Sequence, residues 1–285
     1  MKTRLVRIAV IVMFLGVSST VLAQDSCDGL YGQGENRFSV ATGSPGELGL
    51  VEVLAEVFSA GTDTSVCWKK AGSGESLKML REKSVDMVMV HAPAAEKKAV
   101  DEGWAANRIL IGSNEFFIVG PPDDPARISG AQTASEAYRK IAQAGAKFFS
   151  RGDNSGTHKK EMDIWKRADI TPSGEWYVVT KDFMTATLKR ANDEKGYFMT
   201  DSSTWVAERK NHPNLKVLFK GDKVLVNTYH TLSQPRDATP GARWAAAFIE
   251  FIGSENGQKI IREYGKDRYG EGLYNDADYA KKFDD

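Results

Sequence analysis

Hydrophobic residues recur along this chain in two alternating patterns. Short apolar runs of strand length lie at residues 37–41, 85–90, 115–119 and 224–228. Between them, apolar residues recur every three or four positions, as a helix with one buried face requires. Such helices are predicted around Leu48, Val51, Leu54, Ala55 and Phe58, after the turn at 72–74, and over residues 134–144, 156–168, 183–192, 240–252 and 254–264. The alternation predicts an α/β fold with parallel-rich sheets flanked by helices.

The positions of two turns predict that the chain forms two lobes. A Pro-Pro-Asp-Asp-Pro stretch at 121–125 follows one strand, and the turn Gly221-Asp222 precedes another. Because both interrupt regular structure, we expect the chain to cross between lobes there. Lobe 1 would then comprise residues 24–119 together with 228–285, and lobe 2 would comprise residues 120–227.

The N-terminus has the composition of an export signal. Lys2, Arg4 and Arg7 precede an apolar run at 8–17, and Val21-Leu22-Ala23 fits a cleavage site. We therefore predict a signal peptide over residues 1–23 and a periplasmic mature protein. The apolar run is shorter than the roughly 20 residues that a transmembrane helix needs, so we expect a protein that does not span the membrane.

Charge and cysteine content narrow the function further. Removal of residues 1–23 takes away three basic side chains, which leaves 35 Lys and Arg against 38 Asp and Glu. This balance argues against nucleic-acid binding. Cys27 and Cys67 would share an oxidising compartment, where an isolated pair often forms a disulfide; alternatively they are separate thiols, with Cys67 buried in the strand-like run 64–68. The cysteine spacing and the four histidines match no metal-site pattern, and we expect no metal or cofactor.

Four turns rich in glycine or hydroxyl side chains each precede a helical pattern. They lie at residues 41–44, 71–74, 151–157 and 180–185. The N-terminus of a helix exposes unpaired N–H groups and a partial positive charge, which favour an anion. Arg151 would add a formal charge and a forked donor. Candidate binding residues in these turns are Thr42, Ser44, Ser73, Gly74, Arg151, Ser155, Gly156, Thr157 and Thr185.

Each of these features also has a structural interpretation. Ser44-Pro45-Gly46-Glu47 fits a capping box with Ser44 as N-cap, and Ser73 fits an ordinary turn residue. His91 and His158 lack a third catalytic partner and are interpreted as surface or structural histidines. Because no spacing supplies a nucleophile with its base or a carboxylate pair, we predict that the protein is not an enzyme.

The segment Arg151-Gly152-Asp153-Asn154-Ser155-Gly156-Thr157-His158-Lys159-Lys160-Glu161 resembles the signature of tungstate-binding proteins of ABC transporters, the TupA type. A shorter form, Arg-x-Asp-x-Ser-Gly-Thr, is similar to the motif of phosphate-binding proteins. Further similarities lie at residues 90–96, 115–121, 186–188 and 200–201. Two turns depart from the family pattern: residues 41–44 read Ala-Thr-Gly-Ser where Thr-Thr-Thr-Ser is usual, and Lys181-Asp182-Phe183 replaces small residues.

The resemblance implies a type II periplasmic-binding-protein fold, with two α/β lobes, a two-strand hinge and a ligand in the cleft. It implies an ABC permease and an ATPase as partners, and we expect a monomer. The implied oxyanion contacts are Ser44, Ser73, Arg151, Ser155, Gly156 and Thr157.

The predicted function is the binding of a tetrahedral oxyanion, tungstate or molybdate, for an ABC importer. Three alternatives use the same scaffold. A phosphate-binding protein would need an acceptor for the ligand's proton, a role open to Asp153. A binding protein for a small organic anion could line a larger cleft with Trp68, Trp104 or Trp176. A ligand-sensing domain would share all of these features.

Overall fold

The computed structural model describes residues 26–284, so the predicted signal peptide at 1–23 lies outside the described residues. Eleven strands are present in this range: β1 Gly29–Tyr31, β2 Asn36–Thr42, β3 Thr64–Lys70, β4 Met87–Val90, β5 Ala106–Gly120, β6 Phe148–Ser150, β7 Tyr177–Val179, β8 Tyr197–Asp201, β9 Lys216–Phe219, β10 Val226–Ser233 and β11 Asn275–Asp276. The α-helices are α1 Ser44–Glu47, α2 Leu50–Ala60, α3 Ser73–Arg81, α4 Pro93–Asp101, α5 Ala134–Gln143, α6 Gly156–Arg167, α7 Met184–Asp193, α8 Ser202–Glu208, α9 Ala242–Gly253, α10 Glu255–Glu263, α11 Lys266–Tyr269 and α12 Ala277–Ala280.

The strands form one continuous sheet that is shared by both halves of the molecule. Its order is β1-β3-β2-β4-β10-β5-β8-β6-β7, and β9 and β11 also pair with β5. Parallel pairs occur in both halves: β2 pairs with β3 and β4, and β6 pairs with β8 and with the edge strand β7. The pairs made by β5 and β10 are antiparallel. The helices flank this sheet, and the predicted α/β class is confirmed.

Strand β5 connects the two halves. Its residues up to Glu115 pair with β10, and from Phe116 onwards they pair with β8. The chain therefore changes partners inside an unbroken strand, before it reaches the prolines at 121–125. The apolar run at 115–119 is the end of this longer strand, whose middle carries the buried polar residues Ser113 and Asn114. These polar residues interrupt the apolar pattern on which the prediction rested.

Each half has its own hydrophobic core, and we use the terms lobe 1 and lobe 2 for these halves. The lobe 1 core packs helices α2 and α9 against the sheet and includes Phe38, Leu54, Phe58, Phe248 and Ile249. The lobe 2 core includes Phe116, Tyr138, Phe148, Trp165 and Tyr197. The exact lobe boundaries that the sequence suggests, at 119/120 and 227/228, stay a prediction.

A disulfide bond and the length and polarity of the helices complete the description of the fold. Cys27 and Cys67 form a disulfide, with 5.4 Å between their Cα atoms, which ties the segment before β1 to strand β3. Among residues 26–284, no helix combines the length and the apolar character needed to cross a membrane.

Candidate anion-binding site

The beginnings of four helices meet at one small cavity between the lobes. Gly43, Gly72, Ser155 and Phe183 directly precede α1, α3, α6 and α7, and all four residues line a cavity of about 10 Å³. The first N–H groups of a helix have no partner within it. The four turns predicted from the sequence are therefore brought together, two from each lobe. The other lining residues are Thr42, Ser44, Pro45, Glu47, Ser73, Met89, His91, Arg151 and Tyr229.

Arg151 supplies a positive charge from lobe 2. Its side chain is almost fully buried, with 5% of the residue exposed. Nη2 lies 2.6 Å from Asp153 Oδ2, and Nε donates to the carbonyl of Asp182 at 3.3 Å. The other oxygen of Asp153 accepts from the N–H of Ser155 at 3.1 Å. Asp153 thus holds both Arg151 and the beginning of α6 in place.

The hydroxyl groups of lobe 1 differ in whether their protons are available for a hydrogen bond to a ligand. Ser73 Oγ accepts from the N–H of His91 at 3.2 Å, which leaves its proton available for donation. Thr42 Oγ1 donates to the carbonyl of Met89 at 2.8 Å, so its proton is already used. Ser44 Oγ lies 3.2 Å from Asp201 Oδ2, a carboxylate of lobe 2.

The capping-box interpretation of residues 44–47 is wrong. Gly43 is the N-cap of α1, and no side chain caps this end. Glu47 pairs with Lys70 at 2.6 Å instead of reaching back to the start of the helix. Both polar side chains have partners that are distant in sequence, Asp201 and Lys70, and local spacing could not reveal them.

Small residues allow the two lobes to approach closely around the cavity. A Cβ added to Gly72 would lie 3.1 Å from Ser155 Cβ, and one added to Gly74 would lie 2.8 Å from the carbonyl oxygen of Asn154. Gly156, the first residue of α6, packs against the imidazole ring of His91. These contacts join lobe 1 to lobe 2 and place the N-termini of α3 and α6 opposite each other.

The candidate residues differ in how closely they approach the cavity. Thr42, Ser44, Ser73, Arg151 and Ser155 line it, whereas Gly74, Gly156, Thr157 and Thr185 are absent from its lining among the described residues. Gly74, Gly156 and Thr157 belong to first helical turns whose backbone faces the cleft. Thr185 is the second residue of α7. The lining residue from that turn is Phe183.

His91 lines the cavity, although the sequence predicted only a surface or structural role for it. Burial in the first place, and then the nearby charge of Arg151, lower the pKa of its imidazole from 6.5 to about 3. The ring is therefore neutral near pH 7 and can offer one N–H. His91 directly follows β4, and the carboxyl ends of parallel strands commonly meet ligands. The position of His91 directly after a strand-like apolar run was the feature of the sequence that could have identified it as a candidate binding residue.

Asp201 was also missed as a functional residue. It caps α8 by accepting from the N–H of Thr204 at 2.8 Å, and it accepts from Asn114 Nδ2 at 3.3 Å. Burial raises the pKa of its carboxyl above the usual value. Asp201 thus brings a buried acidic group into contact with Ser44, which lines the cavity.

Two lobes on a shared sheet, connected by the long strand β5 and with a polar cavity between them, define the class of two-lobed binding proteins. A family model for the PBP superfamily domain matches residues 30–256. The chain belongs to the PBP superfamily and, within it, to the family of the TupA proteins. The tungstate-binding protein TupA of Peptoclostridium acidaminophilum is 33% identical over 279 residues, which cover 95% of this chain and 97% of that protein.

Solved structures agree with this assignment. A tungstate ABC transporter structure from Geobacter sulfurreducens is 36% identical, with a TM-score of 0.74, and the match covers 81% of this chain and all of that one. TupA from Desulfovibrio alaskensis is also 36% identical, with a TM-score of 0.70, and the match covers 84% of this chain and 98% of that one. The fold of this protein is accordingly the type II periplasmic-binding-protein fold that the resemblance implies.

Proposed function

We propose that this protein is the extracytoplasmic solute-binding component of an ABC importer and that it binds tungstate in the cleft between its lobes. The observation that carries the proposal is the convergence of the beginnings of four helices and the side chain of Arg151 on one cavity. The relatives that share this fold bear the name of tungstate-binding proteins.

The chemistry of the cavity suits a fully deprotonated tetrahedral oxyanion. Such an ion can only accept hydrogen bonds, and the cavity offers helix N–H groups, the hydroxyl of Ser73 and the guanidinium of Arg151. Donors fixed by the fold need little reorganisation when the ion arrives, and in a water-excluded site their interaction with charge is strengthened. Molybdate has the same charge and geometry and is the closest competitor.

Phosphate is a weaker candidate because its protonated form at neutral pH needs an acceptor. Both oxygens of Asp153 already have donors, Arg151 and the N–H of Ser155. Glu47, which lines the cavity, is paired with Lys70. Asp201, beside the cavity, likewise already accepts hydrogen bonds from Ser44, Asn114 and Thr204, so the carboxylates near the cavity are all engaged by donors of the protein.

A larger organic anion is disfavoured by the positions of the tryptophans. Trp68 is buried in the lobe 1 core and donates to the carbonyl of Thr42 at 3.1 Å. Trp104 and Trp176 pack against separate hydrophobic clusters, and none of the three lines the cavity.

The remaining parts of the proposal follow from this role. The protein would act without catalysis, as a monomer in the periplasm, and would deliver its anion to a permease and an ATPase. Lobe 1 would comprise residues 24–119 and 228–285, and lobe 2 residues 120–227. Binding would draw the lobes together by hinge motion about β5 and β10.

Calorimetric titration tests the proposal. The mature protein, freed of endogenous ligand by unfolding and refolding, is titrated with tungstate, molybdate, sulfate and phosphate in turn. We expect submicromolar affinity for tungstate and at least a hundredfold weaker binding of phosphate. Tight phosphate binding would establish the alternative ligand, and no heat with any of the four anions would refute oxyanion binding.

A further inference from the structure

Phe183 lies between two cations that come from different lobes. Its ring centroid is 4.4 Å from Nζ of Lys70 in lobe 1 and 5.8 Å from Cζ of Arg151 in lobe 2. Both distances fall within the range of cation–π attraction. Phe183 also lines the anion cavity, so this arrangement forms part of the cavity wall.

The protein fixes the position of Phe183 through its own backbone. The carbonyl of Asp182 accepts from Arg151 Nε at 3.3 Å, and the N–H of Phe183 donates to Asp182 Oδ1 at 2.8 Å. Three residues before Phe183, the N–H of Thr180 donates to the carbonyl of Ser150 at 2.9 Å. The turn that carries the ring is therefore tied to the strand that leads to Arg151.

Lys70 is held in a corresponding way on lobe 1. Its ammonium group lies 2.6 Å from Glu47 Oε1, and Glu47 also lines the cavity. Its backbone N–H donates to Asp28 Oδ2 at 2.7 Å. Because Lys70 ends β3 of lobe 1 and Phe183 precedes α7 of lobe 2, their contact forms when the lobes come together and breaks when they separate.

We propose that Phe183 and Lys70 form a latch between the lobes that sets how long a bound oxyanion stays in the cleft. This inference rests on the proposed function. The ring also covers one side of the cavity with apolar surface, which excludes water and leaves the charge of Arg151 less screened. A cation–π pair corresponds to about a twofold change in an equilibrium constant where it is exposed and about a thirtyfold change where it is desolvated, and 33% of the Lys70 side chain is exposed.

The latch predicts a particular kinetic effect. Phe183→Leu keeps an apolar side chain but removes the aromatic face, and Lys70→Met keeps the chain length but removes the charge. Each is expected to accelerate tungstate dissociation by about threefold to thirtyfold. The association rate should change little for Phe183→Leu, because the latch closes after the anion has entered.

A double-mutant cycle separates the latch from a simple loss of positive charge. Tungstate affinity is measured by calorimetry, and its dissociation by stopped-flow tryptophan fluorescence, for both single variants and for Phe183→Leu/Lys70→Met. If the two residues act through each other, the double variant dissociates no faster than the faster single variant. If Lys70 contributes only its charge, the two effects multiply, and the latch is refuted.

Lys282→Met provides the matched control. Lys282 lies 5.1 Å from the ring centroid of Tyr279 near the C-terminus, so the same substitution removes a cation–π pair outside the cleft. Its dissociation rate should equal that of the unsubstituted protein. Unchanged rates in the Phe183 and Lys70 variants would overturn the latch alone, whereas failure of the unsubstituted protein to bind tungstate would overturn the proposed function together with the latch.

Discussion

The hydroxyl of Ser44 in lobe 1 donates to the carboxylate of Asp201 in lobe 2 across 3.2 Å. This bond links the lobes at the edge of the anion cavity and engages a hydroxyl that would otherwise face the ligand. An anion that needs the proton of Ser44 must compete with Asp201 for it. Asp201 therefore lowers the affinity of the site for an anion in two ways. Its negative charge repels the anion, and its carboxylate accepts the hydrogen bond that Ser44 could otherwise donate to the ligand.

Replacement of Asp201 by asparagine should consequently strengthen anion binding. Asparagine is as good an N-cap as aspartate, so the start of α8 is preserved. Its amide group can donate to Ser44 and release the serine proton toward the cavity. Loss of one nearby negative charge is expected to lower the Kd for tungstate about tenfold. Calorimetric titration of the variant measures this change.

Asp276→Asn is a suitable control, because Asp276 is also an N-cap aspartate and caps α12 away from the cavity. Its tungstate affinity should remain that of the unsubstituted protein. Weaker binding by Asp201→Asn would show that the carboxylate supports the site instead of opposing the ligand.

Arg151 is expected to be the side chain on which binding depends most. Hydrogen bonds to a charged group contribute about 1.5–3 kcal/mol each, so loss of a forked donor should raise the Kd for tungstate at least a hundredfold in Arg151→Ala. Arg151→Lys keeps the charge without the fork and should bind with intermediate affinity. Circular dichroism verifies that both variants are folded. Retained affinity in folded Arg151→Ala would rule out this site.

The sequence predicted the regular elements of the fold well where one face of an element is buried. Helix α2, predicted from the apolar positions 48–58, begins at Leu50 and ends at Ala60. Strand β5 was recognised only in part, because its middle places polar residues in a buried setting where the two lobes share it. A helix or strand whose surroundings change along its length carries no single periodicity.

The candidate site was predictable where function depends on the start of a helix. Glycine and hydroxyl residues before α3 and α6 mark such starts in the sequence itself. The partners of Ser44 and Glu47 could not be predicted, because Asp201 and Lys70 meet them through tertiary packing. The same holds for Phe183, whose role in the cavity wall depends on two cations that are distant in sequence.

Glu161 should make the stability of the protein depend on pH. Burial raises the pKa of its carboxyl from 4.5 to about 7, although Tyr177 and Trp165 donate hydrogen bonds to it. The folded protein thus holds this proton more tightly than the unfolded chain. The contribution of Glu161 to the free energy of unfolding is expected to be greatest below pH 4.5 and to fall by about 3 kcal/mol as the pH rises to 7.

Urea denaturation between pH 4.5 and 8 measures this dependence. Glu161→Gln, which cannot ionise, should remove this part of the slope, while Glu136→Gln at a less buried site should leave it unchanged. The same slope in Glu161→Gln and in the unsubstituted protein would contradict the assignment.

The disulfide should stabilise the protein without taking part in binding. It joins residues that are 40 positions apart, and a loop of that length corresponds to about 4 kcal/mol in the chain-entropy account. Cys27→Ser/Cys67→Ser should therefore lower the free energy of unfolding by about 2–4 kcal/mol and leave the tungstate Kd within about twofold of its original value. Denaturation and titration of the same sample distinguish the two effects.

Gly156 provides a steric test of lobe closure. A Cβ at this position would lie 2.3 Å from Cε1 of His91 across the cleft. The imidazole cannot withdraw easily, because its ring centroid lies 4.9 Å from that of Tyr229 and 6.1 Å from that of Phe116. Gly156→Ala should therefore force the lobes apart and raise the Kd for tungstate about tenfold or more, since the donors of α3 and α6 could no longer reach the anion together.

Helix α6 itself should tolerate the substitution, because alanine has a higher helix propensity than glycine. Gly253→Ala, at the end of α9 with open space around it, is the matched control and should bind normally. Removal of the imidazole in His91→Ala/Gly156→Ala should recover part of the lost affinity relative to His91→Ala alone. Gly156→Ala that binds as tightly as the unsubstituted protein would show that the lobes do not need this approach in the bound state.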